Sequence, residues 1–278
     1  MCKNKSCRMS CVCEIIGLTC VLALILSFST KAPYQLKMSI FFIGSGIIVL
    51  VCMPFMFLRP RDYRNGLAPA WCCRQLSKAL GVTMEVRGIE NVRKEHGNVV
   101  LMNHQSALDL LVLAYLWPVI GRATVVAKKE IFYMPFFGVG SWLWGTLFIN
   151  RSKKSDSINA LQKQSMAIRE QNCKLLLFPE GTRNSQDKLL PFKKGSFHIA
   201  LEAQCPVQPV VISKYWFLNS ELKIFRHGHA VIQILPEIAS DNYSKDNLNE
   251  LLEETRSVMQ AEYLKLSQET KIFNNVKQ

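Results

Sequence analysis

Two stretches near the start of the chain are apolar without interruption, and beyond them the hydrophobic positions fall into short runs separated by polar turns and longer amphipathic segments. Ile15 to Thr30 and Met38 to Leu58 carry no charged residue. As helices they would measure about 24 Å and about 31 Å at ~1.5 Å per residue, so the second reaches across a hydrocarbon core and the first falls short of one. The pair predicts a membrane-embedded helical hairpin over residues 1–60, spanning or re-entrant. A signal peptide is the rival for the first segment, and a buried core helix the rival for the second. Pro60 to Pro69 reads as a basic, turn-rich linker and Ala70 to Leu80 as an interfacial helix stopped at Gly81, so residues 61–80 form a connection.

Downstream, short apolar runs predict strands at Thr83–Arg87, Asn98–Met102, Ala123–Ala127, Thr146–Ile149, Lys174–Phe178, Val207–Ser213 and His229–Ile234. Longer patterns predict helices at Ser106–Leu116, Ser155–Gln171, Ser196–Ala203 and Lys245–Gln268. Strands alternating with helices define an α/β fold, a layered catalytic domain over residues 81–268 with its chemistry at strand ends, and residues 269–278 are expected to be a frayed polar tail. The aromatic run Ile131–Phe137 with Ser141-Trp142-Leu143-Trp144 suits an acyl-chain tunnel, a bilayer contact or ordinary core.

Charge sharpens this picture. Of 278 residues, 34 are Lys or Arg against 21 Asp or Glu, a net charge of +13. With no nucleic-acid recognition motif, that excess points to anionic lipid surfaces and phosphate-bearing ligands and away from nucleic acid. Lys3, Lys5 and Arg8 precede the first apolar segment, and Arg59, Arg61, Arg64, Arg74 and Lys78 follow the second, so both ends of the hairpin are expected in the cytoplasm. Ten cysteines form no C-x-x-C pair, and His227-Gly228-His229 has no carboxylate or cysteine at ligand spacing, so no metal is expected. Cys2, Cys7, Cys11 and Cys13 read as small apolar fillers, with palmitoylation as the alternative.

The chemistry is concentrated in two motifs. Asn103-His104-Gln105-Ser106-Ala107-Leu108-Asp109 follows an apolar strand. If His104 lies in the connecting loop and Asp109 in the first helical turn, the carboxylate can bind one imidazole nitrogen and leave the other to take a proton from a hydroxyl. The same letters, Ser106-x-x-Asp109 before an apolar helix, also read as a capping box. The second motif, Pro179-Glu180-Gly181-Thr182-Arg183, offers a glycine turn and an arginine suited to phosphate. No G-x-S-x-G elbow supplies a serine nucleophile. Together they suggest acyl transfer to a phosphorylated alcohol.

In their order, Asn103-His104-x-x-x-x-Asp109, Ala127-Lys128-Lys129-Glu130, Gly145 to Arg151, Phe178 to Arg183 and Pro191-Phe192-Lys193-Lys194-Gly195 resemble the glycerolipid acyltransferases, most closely the 1-acylglycerol-3-phosphate (lysophosphatidate) acyltransferases. The resemblance runs from about Leu80 to Ile238, with Asn150 standing where many members have aspartate. It implies His104 as general base and Asp109 as its orienting partner. It implies Glu180, Gly181, Thr182, Arg183, Arg151, Lys128 and Lys129 as residues that hold substrate, with Glu180 orienting cations or a hydroxyl. It also implies acyl-CoA as co-substrate with no other cofactor, lysophosphatidate and membrane lipids as partners, and the endoplasmic reticulum as location. A transferase acting on glycerol-3-phosphate or a neutral lysophospholipid, and a catalytically silent membrane scaffold, are the competing expectations.

Overall fold

The computed structural model describes residues 33–149 and 165–276. The first apolar segment, Asn150, Arg151 and most of the helix expected at Ser155–Gln171 lie outside the described residues.

Seven strands build the central sheet: β1 (Val82–Arg87), β2 (Asn98–Met102), β3 (Ala123–Lys128), β4 (Leu147–Ile149), β5 (Lys174–Leu177), β6 (Val207–Ile212) and β9 (Gly228–Ile234). They lie in the order β1-β9-β6-β2-β5-β3-β4, all neighbours parallel except β6 and β9. A small hairpin, β7 (Leu218–Asn219) with β8 (Ile224–Phe225), stands apart from it. β2 is central, with β5 and β6 on its two sides and all five of its residues buried. That explains its unbroken apolar run, since a parallel strand covered on both faces needs no alternation.

The pleat divides the core in two. Val100, Met102, Leu176, Ile212 and Ile232 face a cluster shared with helices α2 (Leu67–Ala79) and α3 (Asp109–Ile120). Val99, Leu101, Leu175, Val211 and Val231 face the opposite cluster, closed by α5 (Gly195–Ala203) and α6 (Leu248–Val276). The expected layered α/β fold is therefore present, as helices on both faces of a mostly parallel sheet.

Boundaries moved where local chemistry is stronger than periodicity. α3 begins at Asp109, three residues later than expected, because Asp109 takes the main-chain N–H groups ahead of it. α6 continues through Val276, so the polar tail expected after Gln268 is mostly helix. Its last turns are held because the Asn274 amide donates to the His229 carbonyl (3.0 Å) and accepts the His229 N–H (2.9 Å).

One long apolar helix, α1 (Tyr34–Met56), precedes the domain; it is long and apolar enough to cross a membrane by length and composition. Lys37, Phe41, Ser45, Val49 and Met56 are buried along one face, while Phe42, Ile43, Ile47, Leu50, Val51 and Phe55 are exposed on the other. The buried face touches the domain at both ends. Near the start, the Lys37 ammonium sits 5.3 Å from the Phe225 ring centroid in β8. Further along, Val49 meets Gly140 of α4 (Phe137–Leu143), where an added Cβ would lie 2.2 Å from Val49 Cγ1. At the end, the Asn65 amide donates to the carbonyls of Met56, Arg59 and Leu143. The aromatic run following β3 packs partly on itself, Phe132 against Phe148 and Phe137 against Trp144, yet leaves Tyr133 and Phe136 exposed.

Candidate active site

Parallel strands bring their carboxyl ends to one edge, and the loops there are where an open α/β sheet binds ligands. β2 ends two residues before His104, β5 ends at Leu177 just before Phe178 to Arg183, and β3 ends at Lys128. Both motifs and Lys128 and Lys129 therefore share an edge. A cleft of about 770 Å³ lined by Arg93, His96, Arg169, Cys205 and Glu237 lies at the other ends of the strands and contains neither His104 nor Asp109.

His104 sits in the loop and Asp109 is the first residue of α3. His104 Nδ1 and Asp109 Oδ2 are 2.5 Å apart, with the carboxylate 3% exposed and the imidazole 20% exposed. Asp109 Oδ2 also accepts the Gln105 N–H (2.7 Å) and the Ser106 N–H (3.0 Å). The capping and catalytic readings of the motif thus meet in one carboxylate, which caps the helix and holds the imidazole together. Since Asp109 faces Nδ1, the outward nitrogen is Nε2, and no described residue bonds it. The ring lies on Phe178, centroids 4.2 Å apart and planes tilted by 23°, so the second motif supplies the floor under the histidine of the first.

The loop 103–105 is stitched to the end of β6. The Asn103 amide exchanges two hydrogen bonds with the Ile212 main chain, and Gln105 Nε2 donates to the Ile212 and Ser213 carbonyls. From the same stretch Tyr215 reaches back and donates its hydroxyl to Asp109 Oδ1 at 2.8 Å. Burial, with Asp109 beside it, pushes the Tyr215 phenol well above its ordinary range. Neither Phe178 nor Tyr215 was singled out from the sequence as a partner of the pair. An aromatic residue just beyond each of the two strands flanking β2 is the signal that could have found them.

Glu180, expected among the residues that hold substrate, is turned inward. It is 3% exposed; one oxygen accepts the His104 N–H and the other the Leu190 N–H, both at 2.9 Å. Burial raises its carboxyl above the usual range, against the two N–H donors that favour the charge. The geometry makes Glu180 a clamp between the loops. The reason is elementary: two convergent main-chain donors in a buried corner need an acceptor with two oxygens.

Gly181 has φ +69°, and an added Cβ would stand 2.6 Å from Lys193 Nζ, so the glycine both takes the left-handed turn and lets Lys193 cross it. Thr182, Arg183, Lys128 and Lys129 are exposed, and none of these cations has an ion-pair partner among the described residues. Arg151 lies outside those residues. The loop 186–190 that follows the second motif is gripped by α6. Gln260 bonds Leu189 N–H and the Asp187 carbonyl, Tyr263 donates to the Gln186 carbonyl and Arg256 to that of Leu189.

A parallel-dominated sheet with a His–Asp pair at its carboxyl edge and a cationic loop beside it suits a transferase that activates a hydroxyl. The family model described as Acyltransferase matches residues 83–213, from β1 to the end of β6 and across both motifs. The human 1-acyl-sn-glycerol-3-phosphate acyltransferase alpha (Homo sapiens) is 30% identical over 240 residues, covering 86% of this chain and 84% of that protein. The 1-acyl-sn-glycerol-3-phosphate acyltransferase of Saccharomyces cerevisiae is 38% identical over 183 residues, covering 65% and 59%. The crystal structure of the 1-acyl-sn-glycerophosphate (LPA) acyltransferase PlsC from Thermotoga maritima shares the fold, with TM-score 0.64 at 21% identity over 84% of this chain and 97% of that one. The chain belongs to the 1-acyl-sn-glycerol-3-phosphate acyltransferase family, a family of enzymes of phospholipid biosynthesis.

Proposed function

We propose that the protein transfers an acyl group from acyl-CoA to the free hydroxyl of 1-acylglycerol-3-phosphate, giving phosphatidic acid. The observation that carries this is the 2.5 Å contact between His104 Nδ1 and a buried Asp109, which leaves Nε2 facing outward at the edge that also carries the exposed Arg183, Lys128 and Lys129. Nε2 takes the hydroxyl proton as the oxygen attacks the thioester carbonyl carbon. The tetrahedral species collapses by breaking the carbon–sulfur bond, and the imidazolium returns the proton to the CoA sulfur. No acyl-enzyme is required. Asp109 holds the tautomer and stabilises the transient imidazolium, as carboxylates do in other His–Asp pairs.

Arg183, Arg151, Lys128 and Lys129 hold the acceptor phosphate on this reading, with Thr182 and the main chain at Gly181 beside them; the arginine fork matches phosphate oxygens. Arg183, Lys128 and Lys129 are exposed and lack ion-pair partners among the described residues, which supports that role. The exposed apolar face of α1 and the exposed Tyr133 and Phe136 favour an acceptor already dissolved in a bilayer. The catalytic domain then works at the cytoplasmic face of the endoplasmic reticulum, which protease protection of terminal tags on sealed microsomes would test.

The decisive assay uses purified full-length protein in mixed micelles with a panel of acyl-CoA donors, an acyl carrier protein donor, and lysophosphatidate, glycerol-3-phosphate and lysophosphatidylcholine as acceptors. Lysophosphatidate with acyl-CoA should dominate, and His104→Ala should abolish turnover while the protein stays folded. Equal use of lysophosphatidylcholine would overturn the phosphate acceptor, and undiminished turnover in His104→Ala would overturn the mechanism.

A further inference from the structure

Asp109 is held unevenly. Its Oδ2 accepts three donors, His104 Nδ1, Gln105 N–H and Ser106 N–H, whereas Oδ1 is bonded by the Tyr215 hydroxyl at 2.8 Å. A carboxylate can only accept, so the phenol must donate and must be protonated. Tyr215 is 4% exposed, its ring packs on Phe217 at 5.4 Å, and its own N–H is directed at Gln105 Oε1 (3.3 Å), so it cannot swing away from the carboxylate. It comes from the turn after β6, on the side of β2 opposite β5 and the cationic loop that follows it.

We propose that Tyr215 is a positioning residue that sets the proton affinity of His104 through Asp109. A donor on Oδ1 draws negative charge from Oδ2 and so weakens the hold of the carboxylate on the imidazolium. The other titratable groups facing the pair are Glu180, which accepts the His104 N–H, and Tyr263 of α6, which interacts electrostatically with Asp109, Tyr215 and Glu180. Neither of these bonds Asp109. The inference rests on reading His104 and Asp109 as the catalytic pair.

The test is the pH profile of kcat/KM for purified full-length Tyr215→Phe, with Asp109→Asn and the double variant beside it. Part of the effect of a hydrogen bond to a charged acceptor reaches the imidazole, and a tenfold change in its proton affinity, about 1.4 kcal/mol, is one pH unit. The acid limb of Tyr215→Phe should therefore move to higher pH by about one unit. Activity below the limb should fall about tenfold and recover as pH rises, with the acceptor KM unchanged. In the Asp109→Asn background the tyrosine substitution should add no further shift. A Tyr215→Phe profile lowered uniformly without displacement, or equal shifts in both backgrounds, overturns the proposal. Tyr215→Leu, which also removes the donor and adds no titratable group, serves as the second variant if Phe is not tolerated, and it should move the limb in the same direction. A limb left at the wild-type position in a folded Tyr215→Leu would also overturn the proposal. If Asp109→Asn alone retains full turnover, the catalytic pair itself fails, an outcome distinct from a silent Tyr215→Phe.

Discussion

Glu180→Gln separates a clamp from a substrate ligand, because the two roles place the damage in different kinetic constants. In the wild type each carboxylate oxygen accepts one main-chain N–H, from His104 and from Leu190, at 2.9 Å. Glutamine matches the shape but offers one acceptor and one donor, so one buried N–H must face an NH₂ group. A carboxyl keeps acceptor capacity on both oxygens and the glutamine NH₂ has none, so one buried donor is left unmatched at a cost of about 1–3 kcal/mol. Burial already penalises the carboxylate, and glutamine relieves that part; the unmatched N–H is the larger effect because both donors converge on a side chain that is 3% exposed. At about 2–4 °C per kcal/mol for a domain of this size, the melting temperature should drop by roughly 2–12 °C. The His104 main chain loses its anchor and the imidazole its aim. Since a misplacement of about 1 Å can cost about a hundredfold, kcat should fall by about ten- to a hundredfold with the acceptor KM little changed. Thermal melts and steady-state kinetics with each substrate varied measure both. Unchanged stability and kcat with a raised acceptor KM would refute the clamp and return Glu180 to the substrate.

Other outcomes follow from the same site. Because the carboxyl of Glu180 is raised in the fold, its contribution to stability is complete below the ordinary glutamate pKa of about 4.3 and declines as pH rises through the folded value. The stability gap between wild type and Glu180→Gln should accordingly narrow as pH is raised from about 4 toward neutrality, as pH-dependent melts would show. Arg183→Lys keeps charge but loses the planar fork, so it should raise the acceptor KM more than the acyl-CoA KM; a defect confined to acyl-CoA would contradict the phosphate role. Gly181→Ala forces a left-handed residue to carry a Cβ, at about 1–2 kcal/mol, and pushes Lys193 aside. It should lose a few degrees of melting temperature and weaken acceptor binding, and an unaffected KM would show that Lys193 and its loop do not touch the acceptor.

The sheet was legible because apolar runs as distinctive as Asn98–Met102 and Lys174–Leu177 belong to central parallel strands, where burial on both faces leaves no polar position to blur the pattern. The His104–Asp109 contact was legible for a similar reason: five residues across a strand-to-helix junction leave few geometries. What sequence spacing could not show was anything that depends on a third element. Tyr215 lies 106 residues from its partner Asp109, and Glu180 bonds a main chain 76 residues away; the motif and the resemblance put Glu180 beside the substrate without showing the N–H groups it holds, and left Tyr215 unremarked. The end of α6 was misjudged because Asn274 reads as polar and frayed until His229 is seen to complete its amide.

The grip of α6 on the loop 186–190 bears on how such enzymes can be recombined. Residues 83–213 carry the family signature, yet Arg256, Gln260 and Tyr263 lie well beyond it. They fix the stretch whose Leu190 N–H completes the Glu180 clamp. In this chain the signature region and the last helix hold one loop between them. A chimera that joins this region to a relative's carboxyl-terminal helix would inherit every signature residue and still misplace His104, unless the loop and the three side chains that hold it travel together.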